Sequence, residues 1–192
     1  CWFRQGDYQK ASACFSQQVG GQSKYRNSSL YYYAHIQYES GQYDLALKNF
    51  QLLQRDSRFA RIVPSYIVRI YYFLDREDEL LEMAPRVFAE RDAFRNYEVH
   101  QMVGEVYFKR GEYDKALEEY REAALTASAA TAESCTPQDN DYQVGYCYYM
   151  LGDYDSAAAC LVRKASCSDS VAQNALYTLG DCYLKMGRRA DA

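Results

Sequence analysis

Proline is scarce: three residues in 192, beside ten glycines. That is too few turn-formers for the many short strands of an all-β domain, and it leaves room for long helices. Basic charge is not in excess either. Lys and Arg number 22 against 26 Asp and Glu, a formal net charge of -4, with the cations scattered among the acids. A phosphate backbone finds no basic stripe here, so nucleic acid is not an expected partner. No apolar run is long enough to span a bilayer, since the most hydrophobic stretch, 62–74, is broken by Pro64 and Arg69. Histidine is limited to His35 and His100, and no HExxH, GxSxG or phosphate-cradling glycine loop occurs. The seven cysteines include no CxxC pair, which speaks against a zinc or dithiol redox motif. No catalytic residue, cofactor or metal ligand is therefore expected. The chain has no initiator Met and no signal peptide, and reads as a piece of a longer protein.

What the sequence has in abundance is tyrosine, 21 residues of it. A rule that asks for rings at fixed places accounts for that, and the rule is a repeat. A glycine is followed two residues later by an aromatic, five later by Ala and nine later by a bulky residue. Gly6 leads Tyr8, Ala11 and Phe15; Gly41 leads Tyr43, Ala46 and Phe50; Gly111 leads Tyr113, Ala116 and Tyr120; Gly152 leads Tyr154, Ala157 and Leu161. Gly187 leads only Ala192. Seven before the glycine stands a small residue (Ala34, Gly104, Gly145, Gly180), and four before it an aromatic (Trp2, Tyr107, Tyr148, Tyr183), with Gln37 the exception. The glycines are 35, 70, 41 and 35 residues apart. The 70 is two repeats, the degenerate middle one turning at Asp75, with Tyr71 in the aromatic place and Leu80 in place of the small Ala.

Gly after an apolar-periodic run supplies the left-handed position that ends one helix, and the acidic residue after it suits the positive end of the next. Each glycine thus marks a hairpin corner. Small residues seven before and five after it let two antiparallel helices approach, and rings fill the space beside them. The pattern predicts helix pairs at 27–40/43–55, 61–74/77–89, 94–110/113–127, 139–151/154–166 and 171–186/188 onward, with a lone helix at 7–19. The 41-residue interval carries about seven residues more than the period of 34, close to two helical turns. These fall in the Ala-rich stretch from Ala123 to Ser134, which is expected to prolong its helix, with a turn near Pro137.

The period, together with segments such as RGEYDKALEEY and LGDYDSA, resembles the tetratricopeptide-repeat (TPR) family over essentially the whole chain. The resemblance implies an all-α, right-handed TPR superhelix, an α-solenoid of about five helix-turn-helix repeats with partial repeats at both ends. It forms a single array over 1–192 with turns near Gly6, Gly41, Asp75, Gly111, Gly152 and Gly187. It also implies a non-catalytic scaffold that binds a protein or peptide. In such proteins the residues ten, six and three before each turn face a concave groove. This nominates Tyr31, His35 and Tyr38; Ser65, Arg69 and Tyr72; Gln101, Glu105 and Phe108; Tyr142, Tyr146 and Tyr149; and Tyr177, Asp181 and Leu184. Tyrosine offers wide contact with few rotors and a polar tip, which suits a peptide grip.

The rings three before the turn serve equally as packing between repeats, and Arg69, Glu105 and Asp181 equally as cross-repeat pairs. Tyr31, Tyr142, Tyr146 and Tyr177 are the rings expected to be exposed. Acidic residues on the second helices, among them Glu112 and Glu119, are expected to face solvent. The Lys, Asn and Arg clamp with which TPR co-chaperones hold acidic chaperone tails is missing from the groove positions. The wording of ALYTLGDCYLKMG and VGYCYYMLGDYDSA is similar to bacterial cell-envelope TPR proteins, which implies a periplasmic or outer-membrane-associated role. The alternative is a cytosolic, peptide-sensing regulator of an attached effector domain. The cysteines are expected to be reduced and mostly buried, Cys147 and Cys182 beside core tyrosines, with Cys135 the most open. Trp2 and Phe3 read as the tail of a preceding helix, and the apolar ends are expected to stack on another molecule.

Overall fold

The computed structural model describes residues 2–21, 23–90, 93–129, 141–166 and 170–192. Among these residues it has ten α-helices, one short 3₁₀ turn and no strand. The chain divides into two compact units, Cys1–Arg91 and Asp92–Ala192. The first holds the 3₁₀ turn Trp2–Gln5, then α1 (Tyr8–Val19), α2 (Arg26–Glu39), α3 (Tyr43–Leu53), α4 (Val63–Phe73) and α5 (Glu77–Phe88). The second holds α6 (Ala93–Lys109), α7 (Tyr113–Ala129), α8 (Asp141–Met150), α9 (Tyr154–Ala165) and α10 (Ser170–Lys185).

Every expected corner closes in the same way. Five are made by a glycine in the left-handed region, from φ 73° at Gly41 to 82° at Gly152, and the sixth by Asp75 at 52°. At Gly41 the glycine N–H donates to the Tyr38 carbonyl (3.0 Å) and the next N–H, of Gln42, to the Gln37 carbonyl (2.8 Å). The pair is repeated at Asp75 (to Tyr72 and Tyr71), at Gly111 (to Phe108 and Tyr107), at Gly152 (to Tyr149 and Tyr148) and at Gly187 (to Leu184 and Tyr183). This is the Schellman closure, which satisfies carbonyls that a helix end would otherwise leave open. The aromatic four before the corner is the residue whose carbonyl receives the second bond. A cation covers its ring in Tyr71 (Arg76, 4.9 Å), Tyr107 (Lys115, 5.3 Å) and Tyr183 (Arg188, 4.7 Å). The following helix starts with a side-chain cap where the sequence offers one: Asp7 accepts from the Lys10 N–H and Asp153 from the Ser156 N–H, both at 3.1 Å.

Between corners the helices press together at the small residues. A Cβ added to Gly104 would lie 2.7 Å from Cε1 of Tyr120, and one added to Gly145 2.7 Å from Cγ of Leu161. The residue seven before a corner thus meets the one nine after it. In unit 1 that register is held by Ala34 and Phe50, both fully buried. The degenerate hairpin swaps the sizes, with buried Val68 before the corner and buried Ala84 after it. Around these seams Leu53, Val63, Ile67, Ile70 and Leu80 form the core of unit 1. Ala116, Tyr120 and Cys147, and then Ala157, Leu161, Ala175 and Cys182, do so in unit 2. Arg163 of α9 donates to both carboxylate oxygens of the buried Asp141 (2.9 and 2.7 Å), tying the start of α8 to α9.

Four details differ from expectation. Trp2–Gln5 is a 3₁₀ turn rather than the end of an α-helix, and residues after Gly187 form turns rather than a helix. Glu119 does not face solvent: it is half-buried and meets Nδ1 of the buried His100 at 2.7 Å. Cys14 is exposed and Cys160 intermediate, while Cys147 and Cys182 are buried. Cys1, Cys135 and Cys167 lie outside the described residues, as does Pro137. The longer helix is seen as far as Ala129, past Thr126, and the remainder of the stretch to Ser134 is outside the described residues.

Candidate partner-binding site

In unit 1 the nominated residues converge on a ring that was not nominated, Tyr66 of α4. Tyr31, His35 and Tyr38 of α2 meet it edge-on at 6.2, 5.6 and 5.4 Å, and the Arg69 guanidinium lies 5.7 Å over it. Tyr66 itself stacks on Phe50 at 4.9 Å, and Tyr31 stacks on Phe59 at 5.0 Å. Tyr31 is half-buried rather than open. Tyr72 meets Phe73 at 5.9 Å and Ser65 is buried. Burial raises the Tyr38 hydroxyl above its ordinary range, partly countered by Arg69, and lowers His35, whose Nδ1 has no hydrogen-bond partner among the described residues. These side chains spend their surface on one another, and what they form is a seam between α2, α3 and α4.

In unit 2 the arrangement opens. Gln101 donates to the Tyr97 hydroxyl (2.6 Å) within α6, where Glu105 is half-buried. Phe108 and Tyr113 pack on Tyr146 at 5.5 and 6.1 Å. Tyr146 lies between Tyr142 and Tyr149, 5.9 Å from each, so Tyr142 and Tyr146 are half-buried members of a row. One side of that row borders a depression of about 220 Å³ between α8 and α10. Tyr142, Tyr146 and Tyr149 form its α8 wall; Asn174, Tyr177, Thr178 and Asp181 form its α10 wall. Tyr177 is 82% exposed. The Tyr149 hydroxyl donates to Asp181 across the two helices at 2.6 Å, and the neighbouring carboxylate pushes that hydroxyl up to about 12. Leu184 is exposed, next to a second hollow shared with Leu176 and Tyr177.

The sequence pattern thus finds five of the depression's seven lining residues and misses Asn174 and Thr178. Asn174 lies one helical turn before Tyr177, so extending the stripe by a turn identifies it; Thr178 stands nine before its corner, a register the pattern did not use. Tyr66 gave no such signal, since the residue nine before a corner is aromatic only there and at Tyr32. Among the described residues, no group of three or more His, Cys, Asp or Glu is placed to hold a metal, and no helix is long and apolar enough to cross a membrane.

Stacked helix hairpins closed by repeated left-handed corners define an α-helical repeat protein. Residues 97–127 and 139–163 match two models of the tetratricopeptide repeat. Those two segments are tetratricopeptide repeats, a motif that suggests an interaction scaffold. The fold is similar to the crystal structure of MamA protein (TM-score 0.66, 15% identity, 88% of this chain and 86% of that one). It is also similar to a tetratricopeptide repeat protein from Parabacteroides merdae (0.66, 14%, 98% and 71%) and to BtubC (BKLC) from P. vanneervenii (0.64, 16%, 84% and 73%). A Rap protein complexed with Competence and Sporulation Factor is more distant, at a TM-score of 0.55 and 17% identity over 91% of this chain and 53% of that one. No curated protein matches the sequence significantly.

Proposed function

We propose that the chain is a protein-binding scaffold whose α8–α10 depression grips a peptide segment of its partner. The observation that carries this reading is Tyr177, a large ring left 82% exposed at the edge of a tyrosine-walled hollow. The nominated rings of unit 1 are absorbed in packing, and Tyr142, Tyr146 and Tyr149 are half-buried along the wall of the hollow. An open ring with a polar tip, set beside further rings and one carboxylate, has the composition of a binding hot spot. The test is selection of a random peptide library on the 192-residue chain, followed by affinity measurement on Tyr177→Ala. A ring at a hot spot contributes on the order of 1–2 kcal/mol, so selected peptides bind that variant about tenfold more weakly with no change in thermal midpoint. Peptides indifferent to Tyr177→Ala reject the site.

The setting we propose is the bacterial cell envelope, supported by the wording of the first helices of the repeats. The second reading, a peptide-sensing regulator, draws on the likeness of fold to the Rap protein in complex with its factor. The parent gene separates them: a signal peptide or lipobox supports the first, an N-terminal helix-turn-helix the second.

A further inference from the structure

Asp181 occupies an unusual place among the acids of this chain. It is half-buried, faces a hollow walled by tyrosine, and its one hydrogen bond among the described residues is the one it accepts from the Tyr149 hydroxyl on Oδ2. No Lys, Arg or His lines that hollow. The contrast with the rest of unit 2 is direct. Asp141, also buried, is held by both arms of Arg163, and the ring of Tyr148 is covered by Arg121, whose guanidinium stands 5.5 Å from its centroid and donates to its hydroxyl. The chain supplies a guanidinium at those two places and none at the α8–α10 depression, where the same two chemical features, a carboxylate and ring faces, occur together.

We propose that this depression is a socket for an arginine side chain presented by the partner peptide. The inference rests on the reading of the depression as the partner-binding site and names the chemistry that it accepts. A guanidinium is planar, stacks on aromatic faces and has five donors to distribute. Oδ1 of Asp181 accepts no side-chain hydrogen bond among the described residues and so is left for it, and the hydroxyls of Tyr142, Tyr146 and Tyr177 make no hydrogen bond among the described residues and so can accept as well. Tyr149 already donates to Oδ2, which fixes the carboxylate's orientation before the ligand arrives and lowers the ordering cost of binding. A volume of about 220 Å³ takes a single side chain rather than a folded element. A lysine ammonium would satisfy the charge but neither the planar stacking nor the fork of donors.

The probe is capped arginine, N-acetyl-arginine-N-methylamide, titrated into the 192-residue chain while backbone amide resonances are followed. Capped citrulline, the neutral isostere, and capped lysine are run beside it. Capped arginine saturably shifts Tyr177, Thr178 and Asp181, citrulline shifts none of them, and lysine binds more weakly. Asp181→Asn keeps the acceptor for Tyr149 and removes the charge, so it weakens arginine binding by about tenfold with the helical circular dichroism unchanged. If that variant loses helix, Tyr177→Ala, altered at an exposed ring, gives the corresponding loss on an intact fold. Equal shifts from arginine and citrulline, lysine binding as tight as arginine, or an unchanged arginine affinity in Asp181→Asn overturn the socket. Selected peptides that lose affinity on Tyr177→Ala, contain no arginine and ignore Asp181→Asn overturn the socket while leaving the peptide-binding site standing.

Discussion

Gly145 and Gly180 stand at the same register, seven residues before a corner, yet substituting Ala at the two has opposite signs. At Gly145 the new methyl would lie 2.7 Å from Cγ and 2.9 Å from Cδ2 of Leu161, and 3.3 Å from Cβ of Cys160. Leu161 is fully buried, and Cγ is its branch point rather than a flexible tip, so relief requires α8 and α9 to separate. Overpacking of this kind costs about 2–3 kcal/mol, against a helix-propensity gain of about 1 kcal/mol for Gly to Ala. The net expectation is destabilisation by about 1–2 kcal/mol. At Gly180 the nearest atom is the Ala192 carbonyl oxygen at 3.7 Å, an ordinary contact. The propensity gain then survives as stabilisation of about 0.5–1 kcal/mol. Urea unfolding followed by far-ultraviolet circular dichroism, with amide exchange of α8 and α9 to localise the effect, measures both. Trimming Leu161→Ala, which alone leaves a cavity costing about 2–5 kcal/mol, costs less in the Gly145→Ala background, a coupling that a double-mutant cycle reads out. Gly145→Ala as stable as the parent, or Gly180→Ala equally destabilised, refutes the close-approach argument.

The corners give a second prediction. A Cβ at Gly152 meets nothing within 4 Å, so Gly152→Ala carries only the left-handed backbone cost, about 1 kcal/mol; an unfolding midpoint equal to the parent's would contradict this. For the thiols, burial pushes Cys147 up to about 12 and raises Cys182 as well, so at neutral pH maleimide labels the exposed Cys14 promptly and reaches these two only on unfolding. Because the folded thiol titrates higher than the unfolded one, its contribution to stability is intact below the ordinary thiol range and is lost as the pH rises from there toward 12. The Tyr149 hydroxyl ionises at about 12 because it donates to Asp181; ultraviolet titration of Asp181→Asn finds one tyrosine moved down toward the ordinary value of about 10.

The corners and the small-residue seam were legible in the sequence because each depends on one residue type at one offset. Even the Asp75 corner could be placed, by dividing the 70-residue gap in two. What the pattern could not supply is the swap of sizes between Val68 and Ala84, since a volume shared across two helices constrains the sum and not either residue. Exposure was the least legible property. Tyr31, Tyr142 and Tyr177 share one register and Tyr146 lies one turn further on the same face, but only Tyr177 is open, because Tyr31 has Phe59 and Phe50 as neighbours and Tyr146 has Phe108 and Tyr113. Apart from Phe50 of the same hairpin, those neighbours lie outside the ring's own helix pair, and which faces meet is not carried by the repeat offsets. Glu119 escaped the pattern for a related reason: its partner His100 is on the other helix of its own hairpin but at no repeating position.

The ring contacts of unit 1 have an optical consequence. From Tyr43 through Tyr38, Tyr66 and Tyr31 to Tyr32 each centroid lies between 5.4 and 6.2 Å from the next, and Phe3 joins Tyr32 at 5.0 Å. Beside Phe3 in the chain stands Trp2, the protein's single indole. Light absorbed by any tyrosine in this row passes between tyrosine rings at near-contact distances, and leaves Tyr32 for the lower-energy indole by through-space transfer past Phe3, whose higher excited state does not relay it. Indole emission excited through tyrosine is therefore a gauge of order along the whole row, and a loosening of α4 against α2, far along the row from Trp2, dims that emission without touching the tryptophan.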